Sequence, residues 1–164
     1  DKVSFGLLKF ATMLKASKGM GAGTVTLKDD FRVLPVGKFL RKTKLNELPQ
    51  LFNIFLGDMS VIGPRPLHNK QFSFYSFDDQ NIIASTMPGL SGVGSIIFRD
   101  EEKILQNSRD PDTIYKEEIT PKKAALEKWY VKNKSIGLYF KLIFLTVIAV
   151  ASSNIDMKKF FKGL

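Results

Sequence analysis

The sequence predicts an α+β fold, or a small α/β one, with a short-stranded sheet flanked by helices. At 164 residues, of which 44% are hydrophobic, the chain can bury one core and is too short for two comfortable domains. Short apolar runs bounded by Gly and Pro indicate strands, and other stretches place apolar residues at helical spacing. We therefore expect one domain, residues 1–164, built from both kinds of element.

Charge and rare residues narrow the chemistry. The formal net charge of +9 indicates an acidic partner, such as nucleic acid, anionic lipid or a nucleotide diphosphate. Residues 1–47 hold ten Lys and Arg against four acids, and residues 121–164 hold nine Lys against two, whereas residues 99–118 are acidic. The absence of Cys excludes disulfides and thiol catalysis, and His68, the single His, disfavours a serine triad or a His-based metal site. Carboxylates, arginines and lysines must carry the chemistry.

The first elements are predicted from apolar runs and their ends. Residues 5–13 suit a buried strand that ends at the Gly-rich loop 19–23. A helix is predicted from Leu45, with Asn46 placed to cap its N-terminus and Pro49 tolerated in its first turn. The apolar residues at helical spacing in this helix are Leu45, Leu48, Leu51, Phe52 and Phe55.

Glycine and proline then set the course of the chain. Gly57 is a suitable C-terminal stop for the helix, and residues 58–67 are predicted to be extended because each proline biases the residue before it toward extended backbone. Arg65 stands between Pro64 and Pro66, so its backbone is held on a stiff stem.

The second half of the chain is predicted to be mainly helical. Residues 71–85 fit an amphipathic helix, and a turn at residues 88–92 leads into a short apolar run. A long helix is predicted at residues 120–130, and another at 136–151. Lys141 interrupts this last stretch, which is short for a bilayer crossing, so we expect a core helix or an interfacial one whose stripe is Ile136, Phe140, Ile143, Phe144 and Val147.

Arginines and carboxylates are the candidate functional groups. The planar fork of Arg grips two phosphate oxygens at once, and Arg32, Arg41, Arg65 and Arg99 each stand beside a turn or a proline. Taken singly, each is more often a surface or structural arginine. Glu47, in the first turn of the predicted helix, is explained either as an ordinary N-terminal carboxylate or as a nucleophile or Mg²⁺ ligand. Asp30 and Asp58 are weaker second carboxylates, equally explained by turns.

An ordered set of motifs covers nearly the whole chain. It comprises KFATM at 9–13, DFR at 30–32, FLRK at 39–42, LNELPQL at 45–51, GDMS at 57–60, GPRP at 63–66, PGLSG at 88–92, then Arg99, Tyr130, Val131, Asn133 and Ser135. In order and interval this set resembles the bacterial sugar transferases, the polyprenyl-phosphate phosphoglycosyl transferases.

The resemblance implies an enzyme that moves a sugar 1-phosphate from a UDP-sugar to undecaprenyl phosphate and releases UMP. This is the first membrane step of surface polysaccharide assembly, on the cytoplasmic face of the bacterial inner membrane. It implies that Glu47 works at the reaction centre and binds Mg²⁺ together with the diphosphate. The residues it implies for phosphate binding are Arg65, Arg32, Arg41, Arg99 and Lys9, with Pro64 and Pro66 fixing Arg65.

The resemblance also concerns the membrane. The family has an N-terminal re-entrant membrane segment that residues 1–164 do not show, so we expect the catalytic domain with amphipathic membrane-interface helices. The basic ends of the chain suit an anionic membrane surface. A homodimer is left open.

Departures from the family pattern matter most at position 46. Asn46 stands where the family has the Asp that takes the sugar phosphate covalently, and an amide cannot serve as that nucleophile. Either Glu47 carries the covalent step, or transfer is direct, or the protein is inactive. Ala11, Val93 and Tyr139 also replace the family's usual Arg, Trp and Asp.

Two other function classes compete with an active transferase. A catalytically silent partner of the glycan assembly machinery would explain Asn46 directly. A nucleic-acid binder is favoured by charge alone, and the sequence shows no binding motif for it, so we expect no nucleic-acid partner.

Overall fold

The computed structural model describes residues 4–17, 20, 30–106, 110–152 and 155–161, and it confirms a small α+β fold. Two strands form the sheet, β1 (Ser60–Ile62) and β2 (Gly89–Ser91). The helices are α1 (Pro35–Lys42), α2 (Gln50–Phe55), α3 (Asn69–Phe72), α4 (Phe77–Ala84), α5 (Val93–Ile97), α6 (Glu101–Gln106), α7 (Pro111–Ile114), α8 (Thr120–Asn133) and α9 (Ile136–Ala151). Shorter helical segments are Leu45–Glu47 and Met157–Phe161, which are 3₁₀, and Tyr115–Ile119, a π turn that runs into α8.

The two strands are parallel and extremely close at their ends. Ser60 pairs with Gly89 and Ile62 with Ser91, and α3 and α4 make the connection that a parallel pair requires. A side chain on Gly89 would lie 2.0 Å from the backbone nitrogen of Gly63, so only glycine lets the two backbones approach in this way. The GPRP segment is thereby packed directly against β2.

The main core lies where β1, α5, α8 and α9 meet. Its buried members are Ile62, Val93, Ile96, Tyr130, Leu142, Leu145, Met157 and Phe161. Strands this short cannot bury a core by themselves, so the two long C-terminal helices supply most of the apolar surface that covers them.

Helix α9 faces two environments. Leu142 and Leu145 pack in the core, whereas Ile136, which is 80% exposed, lies on the opposite side with Phe140 and Phe144. The predicted helix at 136–151 is confirmed, and one of its faces packs in the core while the other is exposed; the interfacial environment stays a prediction. Of the predicted stripe, Ile143 packs against the core and the other four residues are exposed. Within the described residues, no helix combines the length and the hydropathy of a bilayer crossing.

Helix α2 presents its apolar side outward. Its buried residues are Gln50 and Asn53, whereas Phe52 is exposed and Phe55 is 88% exposed. The predicted helix start was wrong, because residues 45–47 form a 3₁₀ turn and α2 begins after Pro49. Asn46 lies inside that turn and makes no capping hydrogen bond.

Four other sequence predictions about local structure were corrected. Residues 5–13 are not a buried strand, since Leu8 and Phe10 are largely exposed and Met13 makes only an isolated bridge to Val33. The predicted helix at 71–85 is split into α3 and α4, the turn at 88–92 contains β2, and the apolar run after it is helix α5. Helix α1 was not predicted, and of the Gly-rich loop 19–23 only Met20 lies within the described residues. The helix predicted at 120–130 is confirmed as α8.

Candidate active site

The centre of the candidate site is an ion pair between Glu47 and Arg65. The NH2 group of Arg65 donates to Oε1 of Glu47, and its NH1 group lies 3.4 Å from Oε2 and 3.2 Å from the carbonyl oxygen of Leu90, to which it also donates. Glu47 comes from the 3₁₀ turn and Arg65 from the segment after β1, so two regions 18 residues apart meet here. The sequence predicted both residues, and the structure brings them together.

The stem of Arg65 is fixed by the packing of the sheet ends. The carbonyl oxygen of buried Pro64 accepts a hydrogen bond from the Gly89 backbone N–H at 2.8 Å, and the Gly63 N–H donates to the Ser91 carbonyl at 2.9 Å. Pro66, half-buried, follows Arg65 and restricts its backbone. The two prolines restrict the backbone on either side of Arg65, and their part in substrate binding stays a prediction.

Lys9 is brought to the same carboxylate. Its Nζ lies 3.8 Å from Oε1 of Glu47. The neighbouring backbone is anchored because the Phe10 N–H donates to the Asn46 carbonyl at 3.0 Å and the Leu8 N–H donates to Oδ1 of Asn53 at 3.0 Å. The Asn53 amide in turn donates to the Gly6 carbonyl. Sequence reasoning missed Asn53, and the available signal is a polar residue that stands between apolar ones in the sequence of α2.

The charges around Glu47 decide its ionisation. Burial alone would raise the pKa of Glu47, but the Arg65 guanidinium beside it, followed by Lys9 and Lys44, outweighs burial and holds that pKa below its usual range. Lys44 reaches this region with a left-handed backbone at φ 59°. Glu47 is therefore a carboxylate at neutral pH.

The lysine beside it is shifted by the same surroundings. Burial and the Arg65 charge lower the pKa of Lys9, Glu47 opposes them, and Arg41 and Lys44 lower it further. Arg41, on α1, is thus close enough to influence Lys9, and its part in phosphate binding stays a prediction. Three cations, Arg65, Lys9 and Lys44, act on one carboxylate, which is an arrangement suited to an anionic ligand.

Arg32 is not brought to this site. It is 1% exposed, its Nε donates to Oδ1 of Asp30 at 2.9 Å, and its NH1 donates to the carbonyls of Ser17 and Met20. A phosphate could bind Arg32 only after this buried ion pair had opened. The predicted phosphate contact is therefore replaced by a role in the fold.

Arg99 is also used elsewhere. Its NH1 donates to the carbonyls of Ala149 and Ser152, and its NH2 donates to that of Ile155. Carbonyl groups at the C-terminal end of a helix lack partners within the helix, and a cation satisfies them well. Arg99 thus holds the end of α9 and does not meet Glu47.

Oxygen donors for a metal are few near Glu47. Among the described residues, no three His, Asp or Glu side chains form a cluster that could hold a metal ion. Asp30 pairs with Arg32, and Asp58 accepts a hydrogen bond from Asn53, so neither weaker carboxylate joins Glu47. Asn46 has a buried Oδ1 without a hydrogen-bond partner.

Comparison with known proteins identifies the family. The family model described as bacterial sugar transferase matches residues 1–153. The chain is 36% identical over 124 residues to the undecaprenyl-phosphate galactose phosphotransferase of Salmonella typhimurium, covering 76% of this chain and 22% of that protein. It is 40% identical over 124 residues to the UDP-glucose:undecaprenyl-phosphate glucose-1-phosphate transferase of Klebsiella pneumoniae, covering 73% of this chain and 24% of that protein.

A shorter relative is matched over more of its length. The uncharacterized sugar transferase EpsL of Bacillus subtilis is 34% identical over 150 residues, covering 92% of this chain and 64% of that protein. The chain thus spans about a quarter of the two longer relatives. With residues 1–153 matched by the family model, the chain belongs to the bacterial sugar transferase family.

Proposed function

We propose that this chain is the catalytic domain of a phosphoglycosyl transferase that moves a sugar 1-phosphate from a UDP-sugar to undecaprenyl phosphate. The observation that carries the proposal is the cluster of Arg65, Lys9 and Lys44 around the Glu47 carboxylate. The names of the relatives supply the substrates, because they specify undecaprenyl phosphate and, in one case, UDP-glucose and a glucose 1-phosphate group.

The reaction breaks the phosphoanhydride bond between the two phosphate groups of the UDP-sugar. An oxygen nucleophile attacks the phosphorus that carries the sugar, and UMP leaves with the bridging oxygen and its electron pair. Arg65 and Lys9 offset the negative charge that grows on UMP, an electrostatic effect that is usually the largest part of phosphoryl transfer catalysis. No proton has to move when both phosphates are ionised.

Two routes differ in the nucleophile. In the covalent route an oxygen of Glu47 attacks, and undecaprenyl phosphate then displaces the carboxylate from the sugar phosphate. In the direct route undecaprenyl phosphate attacks the UDP-sugar itself. Arg65 now bonds both oxygens of Glu47, so its transfer to the incoming diphosphate would free the carboxylate for the covalent route.

Magnesium fits this site only together with a nucleotide. Mg²⁺ prefers one or two carboxylates completed by substrate phosphates, and Glu47 with the unpartnered Oδ1 of Asn46 offers that kind of donor set. Bound Mg²⁺ would neutralise charge on the diphosphate. Because Arg65 and Lys9 already face Glu47, we expect Mg²⁺ affinity without nucleotide to be at least about tenfold weaker than with UDP, as measured by titration calorimetry.

The exposed apolar faces of α2 and α9 support an anionic membrane surface as partner. Phe52 and Phe55 on α2, and Ile136 and Phe140 on α9, are exposed, and the chain is strongly basic at both of its ends. Such faces bind at the boundary of headgroups and acyl chains. The localisation that we propose is the cytoplasmic face of the bacterial inner membrane. A homodimer stays a prediction.

Vesicle flotation tests the membrane proposal. Replacing Phe55 by Ser should weaken binding to vesicles of phosphatidylglycerol about tenfold, because one large apolar side chain no longer enters the interface. Phe77→Ser on α4 is the control, since Phe77 is comparably exposed at another place in the fold. Equal losses in both variants would contradict a specific membrane face.

A second candidate function, a silent partner of the assembly machinery, is favoured by Asn46. UMP release separates the two functions, measured on the membrane-reconstituted protein with undecaprenyl phosphate, Mg²⁺, and UDP-glucose or UDP-galactose. An active transferase should lose activity in Glu47→Gln and keep it in the parent chain. Silence in the parent with activity in Asn46→Asp would identify a disabled transferase, and silence in all three would favour the partner.

A further inference from the structure

A buried carboxylate lies behind the backbone of Arg65 and takes no part in the proposed reaction. Glu127 stands on α8 and is 5% exposed. Its Oε2 is buried without a hydrogen-bond partner. Burying a carboxyl group in this way is costly, so its position calls for a specific contact that repays the cost.

The contacts of Glu127 lead to the phosphate-binding arginine. The carboxyl group lies close enough to the backbone N–H groups of Arg65 and Gly94 for both to lower its pKa. Gly94 is the second residue of α5, and a side chain there would lie 2.4 Å from Oε1 of Glu127. One carboxyl group therefore lies beside two backbone segments, the one that carries Arg65 and the start of α5.

A small cavity adjoins this contact. It has a volume of about 20 Å³ and its lining includes Arg65, Ser95, Lys123 and Glu127. The hydroxyl of Ser95 is also buried without a partner. The space suffices for a single water molecule, so it could not absorb a displaced Arg65 stem. Glu127 and Arg65 thus border the same small space, in which a displaced Arg65 backbone would have no room.

We propose that Glu127 is a positioning residue, which holds the backbone of Arg65 so that its guanidinium meets the diphosphate at the Glu47 site. The inference rests on the proposed function, because it assigns Arg65 to the phosphates. Glu127 acts through Arg65 and does not contact the Glu47 carboxylate or the reacting atoms.

Charges on every side of Glu127 bear on its protonation. Burial raises the pKa of Glu127 to about 7, and Lys123, the two backbone N–H groups and Arg65 oppose that rise. Tyr75 and Tyr130 also face it, and burial keeps the pKa of each phenol above its usual range, so both are neutral. The titration of Glu127 near neutral pH therefore provides a direct probe of its contacts.

The first experiment is a double-mutant cycle on UDP affinity, measured by titration calorimetry on the full chain. Glu127→Leu removes both acceptors, and we expect it to weaken UDP binding about 10- to 100-fold when Arg65 is present. In the Arg65→Ala background the same change should have less than about a threefold effect, because the residue it positions is gone. Equal losses in both backgrounds would overturn the proposal.

Two further variants separate positioning from general stability. Glu127→Gln keeps an oxygen that can accept from both N–H groups, so it should restore UDP affinity to within about fivefold of the parent. Glu101→Gln is the matched control, since Glu101 is a carboxylate of the same region whose ion-pair partner is Lys123 and not Arg65. A loss in Glu101→Gln as large as that in Glu127→Leu would contradict a role specific to the Arg65 stem.

The second experiment does not depend on ligand binding. In ¹⁵N-correlated NMR spectra between pH 5.5 and 8.5, the amide signals of Arg65 and Gly94 should move with one midpoint near 7, and this movement should vanish in Glu127→Gln. An Arg65 amide that does not follow Glu127 would overturn the proposal. If the parent chain binds no UDP, the proposed function fails, and the NMR titration still decides whether Glu127 holds the Arg65 backbone.

Discussion

Two arginine–carboxylate pairs in this protein have the same chemistry and opposite surroundings. The Arg32–Asp30 pair joins residues two positions apart, and the Arg32 side chain is 2% exposed, with further donors used by backbone carbonyls. The Arg65–Glu47 pair joins distant segments, and the Arg65 side chain is 30% exposed beside Lys9 and Lys44. A pair sealed by the chain serves the fold, whereas a partly open pair among further cations can exchange one partner for a ligand.

The largest expected effect is the loss of activity when the open pair is broken. Arg65→Ala should lower kcat/KM for UMP release about 10³-fold, since the cation that meets the diphosphate is removed. The melting temperature should change by only a few degrees, because a partly exposed ion pair adds little to the free energy of unfolding. Circular dichroism measures the folding of the variant. If Arg65→Ala lost its fold together with its activity, the Arg65–Glu47 pair would be structural like the Arg32–Asp30 pair.

The sealed pair should show the reverse. Arg32→Met leaves Asp30 buried without its cation, so the free energy of unfolding should fall by about 3–5 kcal/mol. Urea unfolding measures this change, and activity per folded molecule should stay within about threefold of the parent. The double variant with Asp30→Asn should recover part of the stability. A fully stable but inactive Arg32→Met would return Arg32 to the phosphate site.

Lys9, the lysine beside the open pair, tests whether the position of a charge or only the total charge attracts the nucleotide. Lys9→Met should weaken UDP binding about tenfold, because one charge close to Glu47 is lost while the apolar stem is kept. Lys38→Met is the matched control, because Lys38 is an exposed lysine of α1 whose charge is well screened by solvent and salt. Equal losses would show that overall charge, and not the position of Lys9, attracts the nucleotide.

The smallest effect concerns acid stability. The pKa of Glu47 is held below its ordinary value in the folded protein, so its ionised form stabilises the fold above the unfolded pKa, and that contribution is lost as pH falls through the folded pKa. Melting temperatures of the parent and Glu47→Gln should therefore converge as pH falls below about 4.5. A difference that grows on acidification would mean that the sign of the shift is wrong.

The sequence was most informative where neighbours in the chain are also neighbours in space. Gly57, with φ 84°, ends the helix region as predicted, and Pro64 and Pro66 stiffen the stem of Arg65. The helices at 120–133 and 136–151 follow from local patterns that packing did not override. The apolar spacing in α2 predicted a helix but not the environment of its apolar side, which the structure shows to be exposed, because hydrophobic periodicity does not tell core from interface.

Arginine roles were the weakest part of the prediction, for a physical reason. Arg32, Arg65 and Arg99 all stand beside turns or prolines, and any of them could grip a phosphate. Their partners lie as far as 56 residues away, as for Arg99 and Ile155, and no local pattern encodes a contact of that range. Glu127 was missed for the same reason, since nothing in the sequence of α8 indicates that its one carboxylate lies behind the backbone of Arg65.

By itself the sequence determined the family pattern, the mixed α+β class, the basic character of the chain and the candidates Glu47, Arg65 and Lys9. Only the tertiary structure decided which cations share one carboxylate, which arginines are spent on Asp30 and on the end of α9, and which apolar faces stay exposed. Composition and periodicity are properties of a chain segment, whereas burial and pairing arise from the approach of segments that the packed sheet ends and the two long helices bring together.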